Sequence, residues 1–318
     1  MKKNLLSRRQ FTARCAAFGL SLPAISALPA QDRAIGFTAA ALPPGRTVLF
    51  ANGTRVPMLG QGTARLGQGR HPQAVEEDAL REGIAREMTL IDTSGNYGNG
   101  RSEELIGHVL AGQRDRLFLV SKVEAGQVAG DGIARACAAS LARLGTAYLD
   151  LYLLHWPVPG TQFAAVVAAF EHLRAAGKIR AWGVSNFDVE QMEELLRVKD
   201  GNRCATNQVP YSLNNRHIER DLLPWCKQHG IPVMAYSPLG GDRNLVVRDR
   251  TLAEIGSNHG CSAAAIALAW VIRGGNVIAI PEAGSPDHVK ENAAALTLEL
   301  TPRDLQTLDA AYPGPSGR

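Results

Sequence analysis

Short apolar runs alternate with helix-like stretches along most of this chain, and this alternation constrains the fold more than any other feature. Eight runs have the length and apolar character of buried strands: residues 58–61, 89–91, 117–121, 149–154, 179–184, 205–209, 233–236 and 277–280. Between them, apolar residues recur at spacings of three and four, as on one face of a helix. Eight β–α units over roughly 250 residues predict an α/β fold of the (β/α)8 TIM barrel type.

Two further patterns bear on this architecture. Ahead of the first barrel strand, the apolar residues 48–50 and 56–59 flank Asn52-Gly53, which predicts an N-terminal β-hairpin. The alternative fold is a doubly wound parallel sheet. Gly60 and Gly62 follow the hairpin, but the third glycine of a dinucleotide-binding turn is missing, so the barrel is favoured.

Polar or aromatic residues follow most of the predicted strands. These residues are Asp92, Ser121, Lys122, His155, Trp156, Ser185, Asn186, Asn207, Gln208, Tyr236 and Ser237. Because the carboxyl ends of all eight strands meet at one mouth of a TIM barrel, we expect these side chains to lie close together. This mouth is the predicted functional site.

Four residues near this mouth form a set that is suited to proton transfer: Asp92, Tyr97, Lys122 and His155. A carbonyl that is reduced needs a proton donor, and a tyrosine with an ordinary pKa of about 10 donates poorly at neutral pH. A buried lysine beside the tyrosine is expected to lower that pKa, and an aspartate to keep the lysine charged and oriented. A neutral histidine can orient the carbonyl oxygen.

These residues belong to motifs that together resemble the aldo-keto reductase family. The motifs occur in the family's order at residues 91–99 (IDTSGNYGN), 121–123 (SKV), 154–157 (LHWP), 183–187 (GVSNF), 207–209 (NQV), 235–239 (AYSPL), 280–281 (IP) and 291–292 (EN). The resemblance implies an NADP(H) or NAD(H) cofactor and the reduction of aldehydes or ketones to alcohols by hydride transfer. Within this family, the chain resembles bacterial members that act on small aldehydes such as methylglyoxal.

The resemblance also implies individual roles. Tyr97 would be the general acid, Lys122 and Asp92 would tune it, and His155 would position the carbonyl. Residues expected to contact the cofactor are Thr63, Ser185, Asn186, Gln208, Tyr236, Ser237, Leu239, Glu282, Ser285, His288, Glu291 and Asn292. Trp156 and Ala64 would form the substrate wall. The alternative function is a nicotinamide-binding sensor or partner subunit with little turnover, which would have no need of Tyr97.

Three features depart from the family pattern. Glu282 and His288 stand where a lysine and an arginine usually grip the 2′-phosphate of NADPH, which predicts a weakened NADPH preference and possible use of NADH. Other phosphate partners that could compensate are Ser285 at a predicted helix start, Arg273 and Lys290. Ala64 stands where a tryptophan is common, and the chain ends soon after Tyr312, so we expect an open and permissive substrate site.

The first part of the chain has the order of an export signal. Residues 1–30 contain five basic and no acidic residues, and the pair Arg8-Arg9 precedes Phe11 and a short, interrupted apolar run. This order resembles a twin-arginine signal, so we expect recognition by the twin-arginine translocase and a periplasmic location. Residues 1–45 are predicted to be the leader and residues 46–318 the barrel domain. An uncleaved anchor and a general secretory signal are the alternatives.

Charge and cysteine content restrict the possible partners. Of 34 basic residues, five lie in the leader, so the remainder has 29 basic against 30 acidic residues and no basic excess for nucleic acid. The five cysteines lack the spacing of zinc ligands, so we predict no metal site and expect buried, reduced thiols. The expected partner is a small carbonyl substrate, and the expected state is a monomer.

Overall fold

The computed structural model describes residues 46–51, 53–241 and 246–315. Two antiparallel strands, β1 (Thr47–Leu49) and β2 (Arg55–Pro57), form a hairpin ahead of the main sheet. Eight strands then follow: β3 (Gln61–Gly62), β4 (Leu90–Asp92), β5 (Phe118–Val123), β6 (Leu149–Leu154), β7 (Ile179–Ser185), β8 (Asn207–Pro210), β9 (Val233–Tyr236) and β10 (Val277–Ala279). The predicted N-terminal hairpin is therefore present, although Asn52 of its turn lies outside the described residues.

The eight strands are parallel and pair in chain order from β3 to β10. Parallel bridges join Leu59 to Ala279 and Gly62 to Glu282, so the first and last strands also meet and the sheet closes on itself. The predicted (β/α)8 TIM barrel is confirmed. Because every strand runs in the same direction, all eight carboxyl ends lie at one mouth.

Ten α-helices occur within the described ranges. They are α1 (Gln73–Ala85), α2 (Arg101–Leu110), α3 (Gly132–Leu144), α4 (Phe163–Ala175), α5 (Val189–Arg197), α6 (Leu222–Gln228), α7 (Arg250–His259), α8 (Ala263–Ile272), α9 (Pro286–Ala293) and α10 (Pro302–Ala311). In the described part of the chain no single helix meets the length and hydropathy needed to cross a membrane. The pair α7 and α8, bent by 90°, meets that requirement only when the two are taken together.

Burial follows the layers of the barrel. Strands β5 and β6 are buried at every position, because each lies between the barrel interior and the outer helices. Phe50, just after β1, packs edge-on against Phe118 at the start of β5, with ring centroids 5.8 Å apart. The hairpin therefore covers the amino-terminal end of the barrel and leaves the opposite mouth open.

Several element boundaries differ from the sequence prediction by one to three residues. The first barrel strand is Gln61–Gly62 rather than residues 58–61, although Met58 and Gly60 already pair with Ala279 of β10 through their backbones. Helix α6 begins at Leu222, where the side chain of Asp221 accepts a hydrogen bond from the backbone of that residue. The predicted leader, residues 1–45, lies outside the described residues.

Candidate active site

A cleft of about 380 Å³ opens at the mouth formed by the strand carboxyl ends. Its lining includes most of the predicted site: Thr63, Ala64, Asp92, Tyr97, His155, Trp156, Ser185, Asn186, Gln208, Tyr236, Ser237, Leu239 and Glu282. A larger cavity, of about 650 Å³, lies beside α1 and α2, but none of the four proton-transfer residues lines it. We therefore place the chemistry in the smaller cleft.

A buried ion pair forms the floor of this cleft. The Nζ atom of Lys122, at the end of β5, donates to Oδ1 of Asp92 at 2.6 Å, to the carbonyl of Thr93 at 2.8 Å and to the hydroxyl of Tyr97 at 3.1 Å. The Lys122 side chain is completely buried. An ammonium group has three protons, so these three acceptors satisfy it without water.

Asp92 is held by other strands as well. Its Oδ2 accepts from Nε2 of Gln208 at 2.7 Å, and its backbone carbonyl accepts from the hydroxyl of Thr63 at 2.9 Å. These contacts reach from β4 to β8 across the barrel and to the end of β3. Both carboxylate oxygens are therefore engaged, which fixes the orientation of the carboxylate that faces Lys122.

Tyr97 is carried by a tight turn that follows β4. The 3-10 segment Tyr97–Gly100 contains three consecutive residues in the left-handed region, Gly98 (φ 58°), Asn99 (φ 57°) and Gly100 (φ 92°), types that adopt this region readily. This turn brings the phenol back over the strand end. The Nζ atom of Lys122 also lies 4.8 Å from the centre of the Tyr97 ring.

The electrostatics of this group differ in one respect from the sequence prediction. Burial raises the pKa of Tyr97 above its ordinary value, and the opposing effect of Lys122 does not outweigh it. The predicted net decrease of the tyrosine pKa is therefore wrong for the protein alone, because burial disfavours the charged phenolate. Burial by itself would lower the pKa of Lys122. Asp92 and Tyr97 more than offset this effect, so the pKa of Lys122 is raised and the lysine stays charged.

His155 lies beside Tyr97 at the end of β6. Its ring meets the Tyr97 ring edge-on with centroids 5.9 Å apart, and Trp156 stacks against it at 6.1 Å. Its Nδ1 is 2.5 Å from Oε1 of Glu124. Burial and the charge of Lys122 lower the pKa of His155, which favours the neutral imidazole.

Hydrogen bonds connect a second group of polar side chains on the far side of the cleft. Asn186 has a left-handed backbone (φ 66°), and its Nδ2 donates to the carbonyl of His155 at 3.0 Å and to Oγ of Ser185 at 3.1 Å. The hydroxyl of Tyr236 donates to Oδ1 of Asn186 at 2.9 Å. Ser185 in turn donates to the carbonyl of Gln208 at 2.8 Å. These contacts hold amide and hydroxyl groups beside the half-buried Tyr236 ring.

Glu282 forms an ion cluster at the rim, where β10 ends. One carboxylate oxygen accepts from the backbone of Arg65 at 2.8 Å, and the other lies 3.1 Å from the Arg65 side chain and 3.3 Å from that of Arg70. The partners proposed from sequence are held elsewhere. Arg273 lies over the Trp270 ring at 3.8 Å, and Lys290 pairs with Asp287 at 3.1 Å.

Four residues predicted to contact the cofactor lie outside this cleft. Ser285 caps α9 by accepting from the backbone of His288 at 3.4 Å, as the sequence pattern indicated. His288 and Glu291 are exposed on α9, while Asn292 is buried. Helix α9 follows the rim residue Glu282, so these positions extend the surface beyond the cleft rather than line it.

Sequence reasoning missed Glu124, Arg65 and Arg70. A periodicity of two could have found Glu124, because it lies two positions after Lys122 and alternate strand residues share a face. No local pattern could have found the arginines. They precede α1, and only the meeting of the first and last strands brings them to Glu282.

Comparison with known proteins agrees with this geometry. Residues 58–313 match the Aldo/keto reductase family. The chain belongs to the aldo/keto reductase family. It is 48% identical to Methylglyoxal reductase YeaE of Escherichia coli K12 over 86% of this chain and 97% of that protein. It is 34% identical to Glyoxal reductase of Bacillus subtilis over 83% and 92%.

Solved structures show the same relationship. An aldo/keto reductase from Klebsiella pneumoniae, solved with NADP and acetate, has 46% identity and a TM-score of 0.82 over 85% of this chain and 96% of that chain. The chain described here is accordingly an NAD(P)H-dependent oxidoreductase that reduces carbonyl groups. The reductase has the barrel of its relatives.

The buried ion pair of this reductase leads to a stability prediction. Asp92→Asn leaves the Lys122 ammonium buried without a counter-charge, so we expect a loss of about 3 kcal/mol in the free energy of unfolding. The double variant Asp92→Asn/Lys122→Met removes both charges and should recover part of that loss. Urea unfolding followed by circular dichroism measures both values.

The control for this experiment is Asp78→Asn, which breaks the exposed pair with Arg81 on α1. We expect it to cost less than about 1 kcal/mol, as is typical of surface pairs. If Asp92→Asn were no less stable than this control, the ion pair would not contribute to the stability of the barrel.

Proposed function

We propose that this reductase acts on small 2-oxoaldehydes of the methylglyoxal type. Two observations support this substrate class. The chain is similar to relatives named for the reduction of methylglyoxal and glyoxal. The small side chain of Ala64 forms part of the cleft lining, and the described residues Tyr312–Pro315 do not line the cleft. A small aldehyde with an adjacent carbonyl fits such a cleft.

The far side of the cleft fits a nicotinamide group. Tyr236 presents a flat aromatic face, and Ser185, Asn186 and Gln208 place hydroxyl and amide groups beside it. A carboxamide needs both donors and acceptors, and this set offers both. When it is bound, the reduced nicotinamide supplies the hydride that reduces the carbonyl carbon.

Side chains of the protein supply the proton and stabilise the charge that its transfer leaves behind. Tyr97 remains protonated because its pKa is raised by burial, so its hydroxyl can donate to the carbonyl oxygen as negative charge develops there. Lys122 lies 3.1 Å from that hydroxyl and stabilises the phenolate left behind. Asp92 keeps Lys122 charged and aimed. His155 and Trp156 line the space in which the carbonyl must lie.

The Tyr97 hydroxyl carries this proposal, and its removal tests it. Tyr97→Phe removes the acid while keeping the ring, so we expect kcat to fall by about 10²- to 10⁴-fold with methylglyoxal. The Kd for NADPH, measured by quenching of protein fluorescence, should stay the same. Cofactor oxidation is measured at the nicotinamide absorbance band.

Tyr148→Phe is the matched control. Tyr148 lies just before β6, at the opposite end of the barrel from the cleft, and its hydroxyl donates to Asp115. We expect wild-type kcat for this variant. Unchanged turnover in Tyr97→Phe would exclude the tyrosine as the acid. Binding of cofactor without turnover in the wild type would instead favour the nicotinamide-binding sensor.

We further propose that Glu282 equalises the use of NADPH and NADH. Its carboxylate engages Arg65 and Arg70, the two cations at the rim that could otherwise hold a 2′-phosphate. A ribose diol can donate to a carboxylate, whereas a phosphate is repelled by it. The departure predicted from sequence thus acts through a three-residue cluster rather than through an isolated carboxylate.

Glu282→Gln tests this proposal. The substitution removes the negative charge that faces Arg65 and Arg70, so the Kd for NADPH should decrease by about tenfold relative to the Kd for NADH, the effect of one charge-assisted hydrogen bond. Glu254→Gln, on the exposed face of α7, is the charge-matched control. A strong NADPH preference in the wild type would refute the proposal, and so would a cofactor preference that is unchanged in Glu282→Gln.

The leader supports a further proposal, that the twin-arginine translocase exports the folded reductase to the periplasm. The paired Arg8-Arg9 before Phe11 and the short apolar run that follows support this route. Folding before export would allow the nicotinamide to be bound in the cytoplasm, where it is made.

Replacing Arg8 and Arg9 with lysine tests the export proposal. We expect the double variant to remain in the cytoplasmic fraction, while the wild type is recovered from the periplasm, as measured by immunoblot after fractionation. Arg14→Lys makes the same change in the same leader but outside the pair, and should be exported. Periplasmic recovery of the double variant would contradict a twin-arginine signal.

A further inference from the structure

The contact between Glu124 and His155 is not explained by the proton transfer described above. Glu124 follows β5, and His155 follows the neighbouring strand β6. Oε1 of Glu124 lies 2.5 Å from Nδ1 of His155, and the two side chains are 27% and 13% exposed. A carboxylate so close to one ring nitrogen decides which protons the ring can carry.

The position of both groups is fixed by backbone contacts. The backbone of His155 donates to the carbonyl of Val123 at 2.9 Å, which locks β6 to β5 beside the pair. The backbone of Glu124 donates to Oε1 of Gln127 at 3.3 Å, which holds the start of the following turn. The carboxylate therefore meets the imidazole through the geometry of two paired strands.

A proton count shows the consequence for catalysis. If the pair holds one proton, that proton lies between Nδ1 and the carboxylate, and Nε2 is a bare acceptor. Nε2 can donate to a carbonyl oxygen in the cleft only when the pair holds a second proton. The imidazole is then either doubly protonated beside a carboxylate, or neutral beside a carboxylic acid.

The other groups that face His155 have mixed effects on that second proton. Burial and the positive charge of Lys122 disfavour it, whereas Glu124 and Asp92 favour it. Tyr97 meets the ring edge-on and is neutral while protonated. Glu124 is the only one of these groups with a hydrogen bond to the ring, so it has the most direct control over the proton count.

We propose that Glu124 is a positioning residue for carbonyl reduction, which holds the neutral His155 in the tautomer protonated at Nδ1 and makes donation from Nε2 depend on a second proton shared by the pair. This proposal rests on the proposed function, because it concerns the same carbonyl. Reduction should then slow as pH rises and the pair loses its second proton.

The first test does not need turnover. Nitrogen-15 NMR of the cofactor-free protein reports the protonation of each ring nitrogen, with the His155 signals assigned by their loss in His155→Gln. At high pH we expect Nδ1 protonated and Nε2 bare. In Glu124→Gln the imidazole pKa should fall by about one unit or more, since an adjacent opposite charge typically shifts a pKa by 1–3 units.

The second test is the pH dependence of kcat/KM for methylglyoxal reduction. In the wild type we expect kcat/KM to fall above the imidazole pKa measured by NMR, which gives the profile a high-pH limb. In Glu124→Gln the pH of this limb should differ from that of the wild type. Two controls separate charge from local structure. Glu104→Gln removes an exposed carboxylate on α2, and Gln127→Ala disturbs the turn but keeps Glu124. Neither should move the limb or the imidazole pKa.

The two tests have distinct failures. A proton on Nε2 of the neutral wild-type ring, or an imidazole pKa in Glu124→Gln within about 0.3 units of wild type, would overturn the role of Glu124. So would a limb that stays in place in Glu124→Gln or moves equally in Gln127→Ala. Absence of carbonyl reduction at every pH would overturn the proposed function, while the NMR result would still decide the protonation of the pair.

Discussion

The buried ion pair between Lys122 and Asp92 is the interaction on which the rest of the site depends. Removing two charges from water is costly, and that cost is offset only where every remaining proton and lone pair finds a partner. Here the lysine has three acceptors, and the carboxylate binds both the lysine and Gln208. Through Gln208, the pair also connects β4 and β5 to β8 across the barrel, so the catalytic geometry depends on strands that are distant in sequence.

The raised pKa of Tyr97 follows from the same burial. A phenol that burial disfavours as a phenolate keeps its proton, which a general acid needs before the reaction. The nearby ammonium lowers the cost of the phenolate only when the proton leaves. Ground-state protonation and assistance to the developing charge are thus separate effects: burial provides the first and Lys122 the second.

Two carboxylates lie around the catalytic group of this reductase. At the rim, Glu282 forms ion pairs with Arg65 and Arg70. Beside the proposed carbonyl site, Glu124 contacts His155. Both are carboxylates that pair with a cationic or protonatable partner near the cleft. Cofactor preference and pH dependence are therefore both proposed to depend on charges placed at strand ends.

The amino-acid sequence by itself determined the barrel, the hairpin and the four proton-transfer residues. Eight apolar runs and helical periodicities are local properties, and polar residues at strand ends converge in any parallel barrel. Only the tertiary structure decided the partners of Glu282 and His155 and the direction of the Tyr97 pKa. These depend on which side chains meet across separate strands and on how much water is excluded there, and neither quantity is encoded in local spacing.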